Sequence, residues 1–311
     1  MGALCLLPIR WTMPMSTNVL QKESIHMSEL QANISGIIKS SVIDGPGNRM
    51  VIFFQACNLN CLYCHNSHTI GLCNLCGLCV QNCPTQSLKI DASNKQIIHN
   101  ASTCTHCDNC LKNCPENSSP FYKKMTVEHL ISEIEEVKDF ISGITVSGGE
   151  VMLQSEFLKQ LFISIKTHPE LNHLSILVDS NGNIDENRWN QVLDWVDGFM
   201  LDIKAYSSDV HKKITGHTNE KILNSIRYLD SKNKLSELRL VLVPGYNNSK
   251  EEIETISGFM QSLSPEVRKV LIKLRKHGIR EKYHYLSEPT QLDIAQAVEI
   301  LESDKHKLLV I

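Results

Sequence analysis

The cysteines are the residues of this chain best placed to do chemistry, and they are unevenly spread: eleven of the twelve lie between Cys57 and Cys114, and only Cys5 lies elsewhere in the 311 residues. A secreted disulfide scaffold is small and carries cysteines throughout, whereas one dense cluster in a longer chain points to metal chemistry in a reducing cytosol. The cluster contains two kinds of arrangement. Cys73-x2-Cys76-x2-Cys79-x3-Cys83-Pro84 recurs as Cys104-x2-Cys107-x2-Cys110-x3-Cys114-Pro115. Cys57, Cys61 and Cys64, in CNLNCLYCHN, follow C-x3-C-x2-C and have no fourth cysteine close behind in the same loop.

Four thiolates in the repeated run hold a 4Fe–4S cube, three from a tight loop and the fourth after a short helical turn. A structural zinc site uses two separated C-x2-C pairs, but here a third cysteine arrives two residues later and proline follows the fourth. The run matches that of bacterial two-cluster ferredoxins, in which the fourth cysteine ligates the other cluster. The expected sets are therefore Cys73, Cys76, Cys79 and Cys114 around one cube, and Cys104, Cys107, Cys110 and Cys83 around the second. Such clusters move electrons and specify no substrate. The three-cysteine loop differs, because three thiolates around a cube leave one iron without a protein ligand, open for chemistry. The alternative is a fourth ligand borrowed from one of the repeats, which would break that repeat.

The elements that must position these residues show in the apolar pattern. Met50 to Gln55 (MVIFFQ) reads as a strand buried on both faces. Further apolar runs cover Ile144–Ser147, Leu174–Asp179, Phe199–Lys204, Leu238–Val243 and Val270–Leu274. Amphipathic stretches at Val127–Phe140, Glu156–Lys166, Glu220–Leu229 and Glu251–Leu263 separate them. This alternation predicts an α/β fold of parallel strands and helical crossovers, a partial (β/α)6 barrel rather than a flat doubly wound sheet. In either architecture ligands sit at the C-terminal strand ends. Residues 35–67 and 121–311 are assigned to the barrel, and 68–120 to a small inserted domain. Residues 1–31 show no sustained pattern and are expected to be a disordered extension or a misplaced start, with Met13, Met15 and Met27 as other starts and Cys5 idle. With 31 basic and 34 acidic side chains, the net charge of −3 offers no footprint for nucleic acid and no polybasic membrane patch. No apolar run approaches the roughly 20 residues that span a bilayer.

Several polar groups lie at the predicted strand ends. Ser147-Gly148-Gly149-Glu150 leaves a strand and opens a helix. Its glycines permit close backbone approach and Glu150 can accept from an ammonium group, although such a turn can also be plain punctuation. Asp179-Ser180-Asn181-Gly182 has an ordinary Asx turn as its simpler reading. Asp202 and Lys204 share one strand face and Leu201 and Ile203 the other, so two charges point where partners or a ligand are needed. Arg239, on a face with Val241 and Val243, raises the same question. Each of these charges could also belong to a structural ion pair.

The C-x3-C-x2-C loop with an aromatic, Tyr63, before its third cysteine resembles the signature of the radical S-adenosylmethionine (SAM) superfamily. That resemblance implies that SAM chelates the open iron and that an electron cleaves it to methionine and a 5′-deoxyadenosyl radical, the protein supplying positioning. Asp-Gly-Pro-Gly-x-Arg (Asp44 to Arg49), the cysteine loop, Ser-Gly-Gly-Glu, Asp-Ser-Asn-Gly, Leu-Asp-Ile-Lys and Val-Pro-Gly (Val243 to Gly245) follow in order. From about residue 35 this order resembles the glycyl radical enzyme activating enzymes, in particular a subset with a double ferredoxin insert. ITVSGGE, LVDSNG and LRLVLVPG are most similar to the YjjW type. The resemblance implies a cytoplasmic, anaerobic oxidoreductase that removes hydrogen from a backbone glycine in a C-terminal loop of a partner enzyme. Reduced flavodoxin or ferredoxin would supply the electron, and no catalytic acid or base is needed. It also implies SAM contacts from Tyr63, Cys64 and His65 through the backbone, from Gly148, Gly149, Glu150 and Asp179, and from Asp202, Lys204, Arg239 and His277. The two rivals are a radical SAM enzyme acting on a small molecule and a non-enzymatic electron carrier. Three cubes predict about twelve irons per chain after anaerobic reconstitution, measured by iron analysis; a value near eight would remove one cube.

Overall fold

The computed structural model describes residues 30–302 and 308–311. The expectations for Cys5, Met13, Met15 and Met27 lie outside the described residues. The chain begins with β1 (Gln31–Ser41) and β2 (Arg49–Phe54). After the cysteine loop come a one-turn helix α1 (Leu78–Gln81), a hairpin of β3 (Leu88–Asp91) and β4 (Gln96–His99), and a second one-turn helix α2 (Asn109–Lys112). Strand β5 (Lys123–Thr126) then leads into α3 (Val127–Glu135), β6 (Gly143–Gly148), α4 (Ser155–Thr167), β7 (Ser175–Ser180), α5 (Glu186–Val192) and β8 (Gly198–Asp202). The rest comprises α6 (Ser208–Thr215), α7 (Glu220–Ser231), β9 (Leu235–Leu242), α8 (Lys250–Gln261), β10 (Arg268–Lys273), α9 (Gln291–Leu301) and β11 (Leu308–Val310).

Nine strands form one sheet in the order β11-β10-β9-β8-β7-β6-β2-β1-β5. From β2 to β11 every pairing is parallel. Each strand from β6 onward lies beside its predecessor, so the parallel run has no point at which the order reverses. Right-handed crossovers in an order of this kind place all the helices on one face, as in a partial barrel. The six expected parallel strands are present, and β1, β5 and β11 extend them. Strand β1 starts ahead of Ser35 because Ala32 and Ile34 already alternate into the core at 1% and 2% exposure. It runs antiparallel to both β2 and β5.

The faces of the strands divide by chemistry. Ile144, Val146, Ile176, Val178, Phe199, Leu201, Leu238 and Leu240 are buried in the main core. Helix α4 contributes Phe157, Leu158, Leu161, Phe162 and Ile165 to this core, an apolar stripe at helical spacing. Phe157 meets Phe54 edge to face at 6.1 Å, and Trp189 meets Phe199 at 5.2 Å. The alternate positions on β6 to β9 carry Thr145, Ser147, Asp179, Asp202, Glu237 and Arg239, which form the polar inner face.

Opposite the cysteine loop, the Asp44–Arg49 loop folds back under the sheet. Arg49 is 1% exposed. Its Nε donates to Thr145 Oγ1 at 2.8 Å and its Nη1 to Ser175 Oγ at 2.8 Å and Pro46 O at 3.3 Å. Nη2 donates to Ser175 O at 3.0 Å and to Ile144 O. Burial pushes this guanidinium down to about 10. Thr145 Oγ1 donates to Asp44 O at 2.7 Å, and a Cβ on Gly45 would stand 2.7 Å from Leu177 Cδ1. Within the motif, Gly45 and Arg49 therefore close the N-terminal end of the strands.

Residues 68–120 repeat in structure as well as sequence. Leu75, Gly77 and Gln86 have φ of 61°, 82° and 51°, and the equivalent His106, Asp108 and Asn117 have 52°, 58° and 51°. The neck of this segment is tied by a bridge between Thr69 and Ser118. Gln55, fully buried, donates from Nε2 to His68 O at 2.8 Å and Gly71 O at 2.6 Å. Among the described residues no helix is long and apolar enough to cross a membrane. Replacing Arg49 with Met strands several buried acceptors and is expected to cost about 3 kcal/mol in denaturant unfolding, with Arg49→Lys recovering only part. A change within about 0.5 kcal/mol would contradict the role given to this residue.

Candidate functional site

The loop carrying Cys57, Cys61 and Cys64 leaves the C-terminal end of β2 without regular structure, so neighbouring segments must satisfy its backbone. Ala56 and Cys57 N–H donate to Thr69 O at 2.8 Å and Ile70 O at 2.9 Å. Asn60 and Leu62 N–H donate to Thr215 O at 3.1 Å and Ile214 O at 2.9 Å, carbonyls at the end of α6. From the turn after β6, Gly149 N–H reaches Phe54 O at 2.9 Å and Glu150 N–H reaches Ala56 O at 2.7 Å. His65 Nε2 donates to Arg275 O at 2.7 Å, in the loop after β10.

All eleven described cysteines are free thiols. Burial pushes the Cys57 thiol up to about 12 and that of Cys61 to about 11, and raises Cys64 as well. Buried neutral thiols of this kind suit a metal centre, which deprotonates its ligands and brings the compensating charge. Donors already point at sulfur: Leu59 N–H at 3.5 Å and Asn181 Nδ2 at 3.6 Å, both to Cys57 Sγ. Among the described residues no three His, Cys, Asp or Glu side chains converge on a single-ion site. The donor set suits a sulfur-ligated iron cluster, whose thiolates stand around several irons.

Beside the loop, the strand ends present a linked set of charges. Ser147 Oγ donates to Asp179 Oδ2 at 2.8 Å, and Arg239 Nη1 lies 3.3 Å from Asp179 Oδ1. Arg239 Nε also pairs with Glu237, which pairs in turn with Arg268. Burial raises the Asp179 carboxyl against the pull of Arg239. Lys204 Nζ donates to Asp202 Oδ2 at 2.6 Å and lies 5.8 Å from the centre of the Tyr63 ring. Burial alone would lower the Lys204 ammonium, but Asp202, Tyr63 and Cys61 outweigh it and hold the group well above its ordinary range.

Residues 51–260 match the family model of the radical SAM superfamily. The chain belongs to that superfamily. A pyruvate formate-lyase-activating enzyme of Staphylococcus epidermidis is 28% identical over 274 residues, covering 85% of this chain and 89% of that protein. A choline trimethylamine-lyase activating enzyme of Oleidesulfovibrio alaskensis is 31% identical over 255 residues, 77% of this chain and 80% of the relative. Among solved structures, QueE from Escherichia coli aligns with 93% of this chain and 98% of its own at a TM-score of 0.51 and 10% identity. Streptococcus suis SuiB bound to precursor peptide SuiA aligns at 0.52 and 12%, over 84% of this chain and 48% of its own. At these identities both report the shared fold. Membership of the superfamily implies a 4Fe–4S cluster and SAM.

In this radical SAM chain the expected site residues fall into distinct places. Tyr63 is 5% exposed, its hydroxyl has no partner among the described residues, and its ring packs with Ala205, Ile214, Val243, Leu274, Ile279 and Leu286. A Cβ on Gly148 would lie 2.4 Å from Phe54 N and O, and one on Gly149 would lie 2.2 Å from Ala56 O, so Gly148 lets the turn press against the end of β2 and Gly149 against the start of the cysteine loop. Glu150 takes a different place from an open ammonium acceptor. It has no exposed surface, and it accepts from Met152 N–H at 3.0 Å, Ser180 Oγ at 2.8 Å and Asn181 N–H at 2.7 Å. Burial pushes it up to about 7. It braces the Ser147–Glu150 turn against the Asp179–Gly182 turn. His277 is exposed, while its neighbour Gly278 packs near His65, where an added Cβ would be 3.6 Å from His65 O.

Sequence reasoning missed two contributors, Gln55 at the neck and Arg280, whose Nη2 donates to Cys61 O at 2.7 Å. Asn181 appeared only as part of a turn, yet its Nδ2 also donates to Asn58 Oδ1 at 2.9 Å. Gly149→Ala forces a Cβ into Ala56 O and is expected to lose at least half of the SAM-responsive cluster, measured by iron analysis and electron paramagnetic resonance on anaerobically reconstituted protein. Full retention would show that the turn does not hold the loop.

Proposed function

We propose that this radical SAM chain activates a glycyl radical enzyme, in the manner of the YjjW type. The reading rests chiefly on one observation: the activating enzymes it resembles align over most of both chains, and the aligned superfamily region contains the cysteine loop and the polar groups Ser147, Glu150, Asp179, Asp202, Lys204 and Arg239. Cys57, Cys61 and Cys64 hold the SAM-binding cluster. When bound, the cluster and SAM would supply one-electron cleavage chemistry for removing hydrogen from a backbone glycine of the partner enzyme.

The chain's own residues position these groups and exclude water. Backbone of Tyr63, Cys64 and His65 would help hold SAM, the Gly148–Gly149 turn would take its amino group, and Asp202 and Lys204, with Asp179 and Arg239, would meet its polar atoms. Glu150 acts indirectly, through the two turns it joins. His277 is assigned to the adenosyl side. The partner's C-terminal glycine loop must leave its own fold and enter at the C-terminal strand ends, a transient interface.

In this reading residues 68–120 form a ferredoxin-like domain with two further 4Fe–4S clusters, for a total of three. Two observations support the interleaved ligand sets. Cys79 lies within electrostatic reach of Cys73, Cys76 and Cys114, and one cavity is lined by Cys83, Cys104, Cys107 and Cys110. Cys76 and Cys107 are exposed, where a reduced flavodoxin or ferredoxin can approach. With SAM and dithionite under anaerobic conditions, the reconstituted protein is expected to form 5′-deoxyadenosine and Cys61→Ala is expected to form almost none. Equal amounts from both would end the radical reading. With a deuterated-glycine partner enzyme, deuterium should appear in 5′-deoxyadenosine; its absence during turnover would favour a small-molecule substrate.

A further inference from the structure

Among the contacts that hold the cysteine loop, one comes from the far end of the chain and carries a charge. Arg280 follows β10, yet its Nη1 donates to Asn60 Oδ1 at 2.6 Å across 220 positions of sequence, and its Nη2 donates to Cys61 O at 2.7 Å. Its guanidinium lies 4.8 Å from the centre of the Tyr283 ring, which fixes its plane. Its Nε is buried and has no hydrogen-bond partner among the described residues. The segment around it is anchored on both sides. Arg275 O accepts from His65 Nε2 at 2.7 Å, and Glu281 lies 3.6 Å from Lys112 of the second cysteine repeat.

The charge of Arg280 differs in kind from the others near the loop. Lys204 is paired with Asp202 at 2.6 Å, and Arg239 with Asp179 and Glu237, so those cations are matched by carboxylates. Both groups that Arg280 binds are neutral acceptors. Among the described residues its positive charge is therefore not matched by a hydrogen-bonded carboxylate, and it stands directly against the backbone of the ligand residue Cys61. An arginine stays charged at any working pH. A cluster that takes up one electron becomes more negative by one unit, and a nearby fixed cation favours that reduced form.

We propose that Arg280 is a positioning residue with two tasks: its forked donors fix the Asn60–Cys61 backbone, and its charge eases one-electron reduction of the cluster held by Cys57, Cys61 and Cys64. The proposal rests on the assignment of that cluster to these three cysteines. The electron comes from the reductant, which is oxidised by one electron as the cluster is reduced, and no proton or bond changes hands.

The test uses full-length protein reconstituted anaerobically, with the parent, Arg280→Gln and Arg280→Lys compared by redox titration against dithionite. The signal followed is the paramagnetic resonance component that changes when SAM is added, which separates this cluster from any others. Arg280→Gln should move the midpoint to more negative potential, and Arg280→Lys, which keeps the charge but not the fork, should stay nearer the parent. Both variants should release iron to a chelator faster than the parent. A midpoint unchanged in Arg280→Gln, or one that falls equally in Arg280→Lys, overturns the electrostatic task. Unchanged iron release overturns the fork. A parent protein with iron but no SAM-responsive signal would overturn the cluster assignment itself, and the proposal with it.

Discussion

Three thiols that are to share one metal centre must sit close together. A helix would spread Cys57 and Cys64 by about 10 Å along its axis, and a strand would turn Cys64 to the opposite face, so the loop that carries them is neither. The amides and carbonyls of such a loop are then without partners, and burying them costs free energy unless other segments supply the missing hydrogen bonds. In this chain four segments do so. The last carbonyls of α6, which have no partners within their own helix, accept from Asn60 and Leu62, so two sets of orphan groups satisfy each other. The turn after β6, the neck at Thr69 and Ile70, and the loop after β10 complete the enclosure. The parallel strand order serves this purpose, since it delivers every one of those segments to the same end of the sheet.

The same end of the sheet must carry charge without being destabilised by it. Ser147, Asp179, Arg239, Glu237 and Arg268 form a chain in which each charged group has an opposite neighbour, and Asp202 and Lys204 form a second pair beneath Tyr63. Removing one member would leave its partner buried and unmatched, which is far more costly than the pair is stabilising. The arrangement fixes donors and acceptors in place before any ligand arrives. That is the condition under which polar groups act on a developing charge without having to reorganise.

How much of this was legible in the sequence follows from how far each signal reaches. The central strands showed as apolar runs because both of their faces, or one whole face, pack into the core. Strand β5 did not, because Lys-Lys-Met-Thr at a sheet edge carries too few buried positions to reveal its period, and β1 begins with only Ala32 and Ile34 turned inward. The repeat between the two cysteine runs was legible because its spacing is local, and the structure repeats with it. The task of Glu150 was not, because its motif shows a carboxylate after two glycines but says nothing of the Ser180 and Asn181 groups that fold over it. Arg280 was invisible for a related reason: nothing near residue 280 in the chain indicates that its partner is Asn60.

The doubled segment between β2 and β5 has a consequence for how the protein is made. Cys83 lines a cavity whose other sulfurs come from the second half, and Cys114 lies within electrostatic reach of Cys79 of the first. Under the interleaved ligand sets proposed above, neither half is a complete unit, and the segment could mature only after residue 114 has left the ribosome. By the same reasoning the segment cannot shrink gradually. Under that assignment, loss of either half would remove ligands from both clusters, so the two halves would be kept or lost together.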